Sequence, residues 1–316
     1  MTAIADMVAA LLDAKLPLER AQRDWDLVIS AYNESARVQK VFEKLTARRN
    51  AWWVIPEYGY RPDEISHLSN AHLLDAGTEA EVVIQGMEAC GYDPETDRRL
   101  CVDITGLMRP QILYLMAWLR SKGVREYDLL YTEPEQYARK ADTRFSMGED
   151  VQVRSVSGYI GAHDNDMSGD ILILGVGYDH HLISHVLRVK ESARPVQLHS
   201  FPSLSADMYH ESLLRLDRIW SERPRAAGDD FYTSANDPYV VAGSLLDALG
   251  GLNGQRKLTN LYLAPLATKP QAVGFGLFYL RNLVGDAASI IFPNCSSYHR
   301  ETTKGVGRSW IYPIVI

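Results

Sequence analysis

Short apolar runs alternate with segments of helical periodicity along most of the chain. Residues 26–30 form the first predicted strand, a polar turn and a helical face at residues 38–45 follow, and residues 52–55 form the next strand. A strand, a helix and a strand in this order predict parallel pairing with a right-handed crossover. The same order recurs from residue 170. We therefore expect an α/β protein of two tandem Rossmann-like domains, each a mainly parallel sheet flanked by helices.

A second pattern is an internal repeat at residues 102–120 and 261–281. Each copy has a short apolar strand, a polar turn, a base–Pro–Gln triplet and an apolar helix, and the triplets begin at Arg109 and Lys269. Internal similarity of this kind indicates related structural units. We place the first domain at residues 1–148, a linker at 149–168 and the second domain at 169–316.

The two ends of the chain carry their own predictions. The spacing of apolar residues predicts an amphipathic helix over residues 3–20, packed on the first domain. Residues 296–308 are polar and rich in cations. They are expected either to cover the end of the second sheet as a lid or to form a solvated loop. A final strand is predicted at residues 310–316, within the second domain.

Composition narrows the class of protein. The chain has 316 residues, a net charge of −7 and three cysteines. The negative charge argues against binding to duplex nucleic acid, and an odd, widely spaced set of cysteines argues against a disulfide framework. No apolar run reaches the roughly 18 residues of a membrane span, and no signal-like segment opens the chain. We expect a cytoplasmic protein that does not enter a membrane.

Candidate ligand contacts follow from the predicted topology. In open α/β sheets ligands lie outside the carboxyl ends of the strands, near the point where the strand order reverses. A helix N-terminus there favours anions, and an added cation can contact phosphate. The alternative is that these cations are ordinary surface residues at the helix starts. The candidates are Asn33, Arg37, Thr105, Gly106 and Arg109 in the first domain, and Gly175, Gly177, Asp179, Thr268 and Lys269 in the second.

Other chemistry is less well matched by the sequence. Gly175 and Gly177 lack the third glycine of a dinucleotide-binding turn, because His180 stands at that position, so we expect no cofactor. The glycines would let either a ligand or a neighbouring loop approach the backbone. His181 and His185 lie one helical turn apart but need further ligands to hold a metal, and no metal is predicted. If the protein is an enzyme, the candidate acids and bases are Glu34, Glu133 and Asp179.

Several of these segments together resemble a known family. The turns at 32–37 and 175–181, the segment Asp103-Ile-Thr105-Gly106 with Arg109, and Ala267-Thr268-Lys269-Pro270 resemble the CRISPR-associated Rossmann fold (CARF) sensors. The arrangement also resembles fused, tandem CARF-like sensor domains of anti-phage systems. The resemblance implies binding of a cyclic oligonucleotide between paired units and transfer of the signal to a separate effector protein, or degradation of the ligand.

The sequence thus favours a sensor or regulatory protein. Its ligand would be a nucleotide, including a cyclic oligonucleotide, or another phosphorylated small molecule, and it would bind between the two related domains. The protein would act in anti-phage defence. The alternatives are a nucleotide-processing enzyme, either a hydrolase or similar to a ring nuclease, and a structural subunit without a ligand.

Overall fold

The computed structural model describes residues 13–21, 23–137, 146–147, 151–204, 208–220, 230–253, 257–295, 297–300 and 303–316. None of the helices in these ranges combines the length and the apolar character that crossing a bilayer requires. The chain divides into two compact units, one made of Met1–Met147 with Ser296–Ile316 and the other of Gly148–Cys295.

The strands alternate with helices along the chain, as the sequence predicts. In chain order they are β1 (Leu16–Pro17), β2 (Trp25–Ala31), β3 (Ala47–Val54), β4 (Ala71–Leu73), β5 (Leu100–Asp103), β6 (Glu126–Thr132), β7 (Gln136–Tyr137), β8 (Ser146–Met147), β9 (Gln152–Ser155), β10 (Ile171–Gly175), β11 (Arg194–Ser200), β12 (Asp230–Thr233), β13 (Leu261–Pro265), β14 (Ala288–Asn294), β15 (Ser297–Tyr298), β16 (Thr303–Lys304) and β17 (Ser309–Val315).

The α-helices that the structure describes connect these strands. They are α1 (Ala36–Phe42), α2 (Pro62–Ile65), α3 (Glu79–Ala89), α4 (Arg109–Ser121), α5 (His180–Val189), α6 (Met208–Trp220), α7 (Pro238–Asn253) and α8 (Lys269–Asn282). Both base–Pro–Gln triplets begin a helix, as predicted, because proline is well tolerated in the first turn. Asp237 precedes α7, where its Oδ1 accepts from the backbone N–H groups of Tyr239 and Val240.

The two units contain sheets with the same strand order. In the first unit the order is β1-β17-β6-β5-β2-β3-β4, and the five strands from β6 to β4 run parallel. In the second unit it is β9-β14-β13-β10-β11-β12, and the five strands from β14 to β12 run parallel. When the parallel strands are numbered in chain order within each unit, both sets have the order 3-2-1-4-5 across the sheet. Strand 1 is β2 in the first unit and β10 in the second. The strand order reverses between strand 1 and strand 4, which is β5 or β13. The expected α/β fold of two Rossmann-like sheets flanked by helices is therefore confirmed.

Each parallel set is completed by one antiparallel strand next to its fifth strand. In the first unit this strand is β17, which pairs with β6 from Ser309 to Val315. In the second unit it is β9, which pairs with β14. The predicted boundaries need correction at both places, since β9 lies in the proposed linker 149–168 and β17 lies in the proposed second domain 169–316. The partner of each antiparallel strand is set by long-range pairing, which local periodicity does not encode.

The structure also corrects the predicted N-terminal helix over residues 13–20, the part of that prediction that it describes. Residues 3–12 of that prediction lie outside the described residues. Within the rest, Leu16 and Pro17 form β1, which pairs with Ile311 and Trp310 of β17, and Leu18–Arg20 form one turn of 3-10 helix. Pro17 has no backbone N–H, and an edge strand tolerates that loss better than a helix interior does.

The cores lie on the central strands. Val28 and Ile29 of β2 and Leu172 and Ile173 of β10 are fully buried, and adjacent residues of a strand point to opposite faces. Both central strands are therefore covered on both faces, which leaves the strand ends as the places where polar chemistry can reach solvent.

Carboxyl edges of the two sheets as the candidate site

In the first unit, the turn after β2 is tied to the turn after β5 by one tyrosine. The Asn33 Nδ2 donates to the Tyr58 hydroxyl at 3.1 Å, and that hydroxyl donates to the Gly106 carbonyl at 2.7 Å. Burial raises the pKa of Tyr58 to about 12, so the hydroxyl keeps its proton and remains a donor. Asn33 and Gly106, both predicted ligand contacts, are thus brought together, and an internal side chain lies between them.

Arg37 and Thr105 meet at the end of β6. The Arg37 Nη1 donates to the Thr132 carbonyl at 2.6 Å, and the Thr132 N–H donates to the Thr105 hydroxyl at 3.0 Å. Arg37 is only 8% exposed, and its Nε donates to the Thr303 hydroxyl at 3.1 Å. The structure therefore uses this guanidinium to join α1, β6 and the returning C-terminal segment.

The cation-rich tail covers the carboxyl edge of the first sheet, not of the second as the lid prediction proposed. Arg300 donates to the backbone carbonyls of Tyr58 at 2.8 Å and Gly59 at 2.7 Å, and to both oxygens of Glu64. Its guanidinium also lies 3.9 Å from the centre of the Tyr60 ring. The correction follows from β17, whose pairing with β6 carries the preceding residues to this unit.

At the start of α4, a buried glutamine contacts a partly buried carboxyl group. Gln111 is 1% exposed, its Oε1 accepts from the Met108 N–H at 2.9 Å, and its Nε2 donates to Glu57 Oε1 at 2.7 Å. Burial is the main cause that raises the pKa of Glu57, opposed by this hydrogen bond. Both amide atoms of Gln111 are thus engaged within the unit, and Arg109 begins the same helix, partly buried.

Two glycines allow the central turns to pack against each other. A Cβ at Gly106, after β5, would collide with the Ala31 carbonyl at the end of β2. A Cβ at Gly177, after β10, would collide with the Leu266 carbonyl after β13. Both contacts lie where the strand order reverses, with the glycine on the opposite partner in each unit. A neighbouring loop therefore approaches Gly177, which is one of the two outcomes that the sequence left open. At Gly175, a Cβ would stand 3.3 Å from the Phe275 ring.

The start of α8 differs from that of α4 in how its first turn is capped. Thr268 accepts from the Gln271 N–H at 3.3 Å and donates to the Ala235 carbonyl. The equivalent position before α4 is Met108, which has no hydroxyl, so Gln111 turns its own amide oxygen back to the helix start. In the second unit the threonine supplies the cap, and the Gln271 amide is released for other contacts.

That amide extends across the end of β10 towards β11 and β12. Gln271 Nε2 donates to the Ser200 hydroxyl at 2.9 Å and to the Ser234 carbonyl at 3.4 Å. A carbonyl can only accept, so the Ser234 contact fixes which amide atom is nitrogen. Gln271 is fully buried, yet its Oε1 has no hydrogen-bond partner, and neither does the hydroxyl of Thr233, which is 2% exposed. We call Ser200, Thr233, Ser234, Lys269 and Gln271 the Gln271 site.

Asp179 has a structural role at the start of α5. Its Oδ1 accepts from the Leu182 N–H at 3.3 Å. The neighbouring rings of His180 and His181 lie 4.2 Å apart. Across the ranges that the structure describes, no group of three or more His, Cys, Asp or Glu side chains is arranged to hold a metal ion.

The other two candidate acids also contact residues of the fold. Glu34 is exposed and lies 3.5 Å from Arg300 Nη1, and Glu133 Oε1 accepts from the Trp310 indole N–H at 2.9 Å. Glu34 thus lies by the C-terminal segment, and Glu133 lies by β17.

Sequence reasoning missed the side chains that organise both edges. No sequence motif marks these side chains, which are Glu57, Tyr58 and Ser200. Their hydrogen-bond partners are 48 to 71 residues away along the chain. The one available signal is the glutamine that occupies the same place in both base–Pro–Gln triplets.

Comparison of the chain with models of protein families, with curated proteins and with solved structures finds no match.

Proposed function

We propose that the protein is a sensor or regulatory protein that binds a nucleotide or another phosphorylated small molecule at the Gln271 site of its second unit. The signal would pass to a separate partner protein, in keeping with the resemblance to CARF-like sensors of anti-phage defence. Cyclic oligonucleotides belong to the proposed ligand class.

One observation carries the proposal. Gln111 and Gln271 hold the same place in two sheets of the same strand order, but only Gln111 has partners on both amide atoms. A buried polar atom without a partner costs free energy, roughly 1–3 kcal/mol. A bound molecule with hydroxyl or amino donors would supply the missing hydrogen bonds to Gln271 Oε1 and Thr233.

The charge at this edge suits a phosphorylated molecule. Lys269 is the first residue of α8, where the helix dipole and the ammonium group both favour an anion. The site also lies at the carboxyl end of β10, beside the reversal of strand order, where ligands of open α/β sheets bind. In the first unit the corresponding glutamine contacts Glu57, a carboxyl group of the chain itself.

Binding is favoured over turnover because the candidate acids are engaged in the fold. Glu34 lies by Arg300, Glu133 accepts from Trp310, and Asp179 caps α5. A sensor of this kind should gain thermal stability with its ligand and leave the ligand unchanged.

The test is a thermal-shift screen of the full chain with 5′-mononucleotides, cyclic oligonucleotides and ribose 5-phosphate, followed by calorimetry and chromatography of the incubated ligand. We expect a rise in melting temperature without product. Lys269→Ala should weaken binding at least about tenfold, the effect of losing a charge-assisted contact. Arg109→Ala, at the matching helix start of the first unit, should leave the affinity within about twofold, as should Lys44→Ala at an exposed position. Absence of binding by every compound, or equal affinity for wild type and Lys269→Ala, would contradict the proposal.

A further inference from the structure

The same edge of the second sheet carries three aromatic side chains that the proposed function does not use. Phe201 follows β11, Tyr232 lies on β12 and Tyr209 lies on α6. Their ring centres are 5.3 Å apart for Phe201 and Tyr209, 6.4 Å for Phe201 and Tyr232, and 6.3 Å for Tyr209 and Tyr232. We call these three residues the aromatic cluster.

Two members of the cluster present their rings to solvent. Phe201 is 59% exposed and Tyr232 is 52% exposed. Contiguous exposed apolar surface marks binding sites, whereas exposed apolar side chains scattered singly need no explanation. His199 packs against the cluster. Its ring centre lies 5.6 Å from that of Tyr232, and its Nε2 lies 3.1 Å from Asp230 Oδ1.

The register of β11 and β12 places the cluster next to the Gln271 site. His199 is opposite Tyr232, and Ser200 is opposite Thr233. Successive side chains of a strand point to opposite faces, so the aromatic rings lie on one face and the polar groups on the other. The two sets occupy adjacent positions along each strand. A molecule lying across these strand ends would touch rings on one side and hydrogen-bonding groups on the other.

We propose that the aromatic cluster binds the base of a nucleotide whose phosphate and sugar lie at the Gln271 site. This inference rests on the proposed function and narrows its ligand class from phosphorylated molecules in general to those with a planar heteroaromatic ring. Phe201 and Tyr232 supply faces for stacking, which tolerates any base because every base has a π-face. The Tyr209 hydroxyl also donates to that of Tyr232 at 3.4 Å.

The experiment measures, by calorimetry on the full chain, the affinity for AMP, GMP, CMP and UMP against ribose 5-phosphate, which lacks a base. Wild type should bind at least one mononucleotide about tenfold or more tightly than ribose 5-phosphate. Phe201→Ala and Tyr232→Ala should each reduce that preference severalfold and leave the affinity for ribose 5-phosphate unchanged. Phe201→Tyr and Tyr232→Phe keep the rings and should retain the preference. Circular dichroism and the melting temperature show whether each variant is folded, and both positions are exposed enough to tolerate alanine.

The outcomes separate this inference from the proposed function. Equal affinity for mononucleotides and ribose 5-phosphate, with both weakened by Lys269→Ala, overturns the base-binding cluster and keeps the phosphate site. A base preference that survives both alanine substitutions also overturns the cluster. Absence of binding by all five compounds overturns this inference, and when cyclic oligonucleotides fail as well, the proposed function falls with it.

Discussion

Gln111 Nε2 donates to Glu57 Oε1 at 2.7 Å across the end of β2, in a region where Glu57 Oε2 is buried and has no hydrogen-bond partner. The first unit thus places a carboxyl group of the chain beside the glutamine that begins α4. In the second unit the glutamine that begins α8 meets the neutral hydroxyl of Ser200. Two sheets of the same topology therefore present different chemistry at the same point.

This contact predicts how stability depends on pH. Burial raises the pKa of Glu57 above its usual 4.5, so the folded protein holds this proton at pH values where the unfolded chain has released it. The folded state then binds more protons than the unfolded state, and the free energy of unfolding falls as the pH rises from 4.5 through the raised pKa. Glu57→Gln keeps an acceptor for Gln111 and removes the titration.

Urea unfolding of both proteins across this pH range measures the effect. The variant should gain stability relative to wild type as the pH rises, and the difference should become constant above the raised pKa. A difference that does not change with pH would show that Glu57 titrates alike in the folded and unfolded chains.

The packed glycines give a prediction of stability. Gly106→Ala and Gly177→Ala each place a methyl group against a backbone carbonyl, of Ala31 and Leu266 respectively. A main-chain oxygen cannot move aside as the end of a side chain can, so each variant should lose about 1–3 kcal/mol in free energy of unfolding.

The matched control for these glycines is Gly243→Ala. Gly243 lies inside α7, and nothing stands within 4 Å of the added Cβ. Alanine is the better helix former, so this variant should be unchanged or more stable by up to about 1 kcal/mol. Destabilisation of all three variants by the same amount would mean that the two turns are not the close contacts that the structure describes.

The sequence predicts the fold to the extent that local periodicity determines it. Alternating apolar runs and helical faces identify the parallel strands of both sheets except β4 and β12, which have only three and four residues. The triplets at Arg109 and Lys269 mark the two helix starts that the structure has. The assignment of β17 fails because the chain enters this segment from β14 of the second unit, whereas the hydrogen-bond partner of β17 is β6. The seven residues of β17 largely alternate between buried and less buried positions, but this pattern does not identify a partner strand nearly 180 residues away in the sequence.

The sequence likewise predicts some features of the candidate site and not others. Position relative to the strand ends predicts that Asn33 and Gly106 lie near each other, because the carboxyl ends of neighbouring parallel strands share an edge. It does not predict that Tyr58 lies between them, or that Arg37 is buried against Thr132. These contacts depend on which side chains the connecting segments bring to the edge, and such segments have no periodicity from which to predict them.

Arg300 provides a second pH prediction, of opposite sign to that for Glu57. The hydrogen bonds from Arg300 are the largest cause that lowers the pKa of Glu64 from 4.5 to about 2. A carboxyl group with a lowered pKa stabilises the fold fully above its unfolded value and loses that contribution as the pH falls through the folded value. Arg300→Gln removes the charge, so the Glu64 pKa should return towards its usual range.

The stability of wild type and Arg300→Gln should therefore differ most above pH 4.5 and converge as the pH falls towards 2. Convergence should be incomplete, because Arg300 also donates to the carbonyls of Tyr58 and Gly59, which do not titrate. Urea unfolding at several pH values measures the difference, and a nuclear magnetic resonance titration of the Glu64 carboxyl group follows its pKa directly.

Arg98→Gln is the matched control for this pair. Arg98 and Glu95 form an ion pair at 3.9 Å whose side chains are mostly in solvent, and exposed pairs of this kind contribute little to stability. Arg98→Gln should leave the unfolding free energy nearly unchanged at every pH. If Arg300→Gln behaves in the same way and the Glu64 pKa does not move, the C-terminal segment does not hold the carboxyl edge of the first sheet in solution. In that case the carboxyl edge of the first sheet would be open, and Arg109, like Lys269, would again be a candidate for phosphate contact.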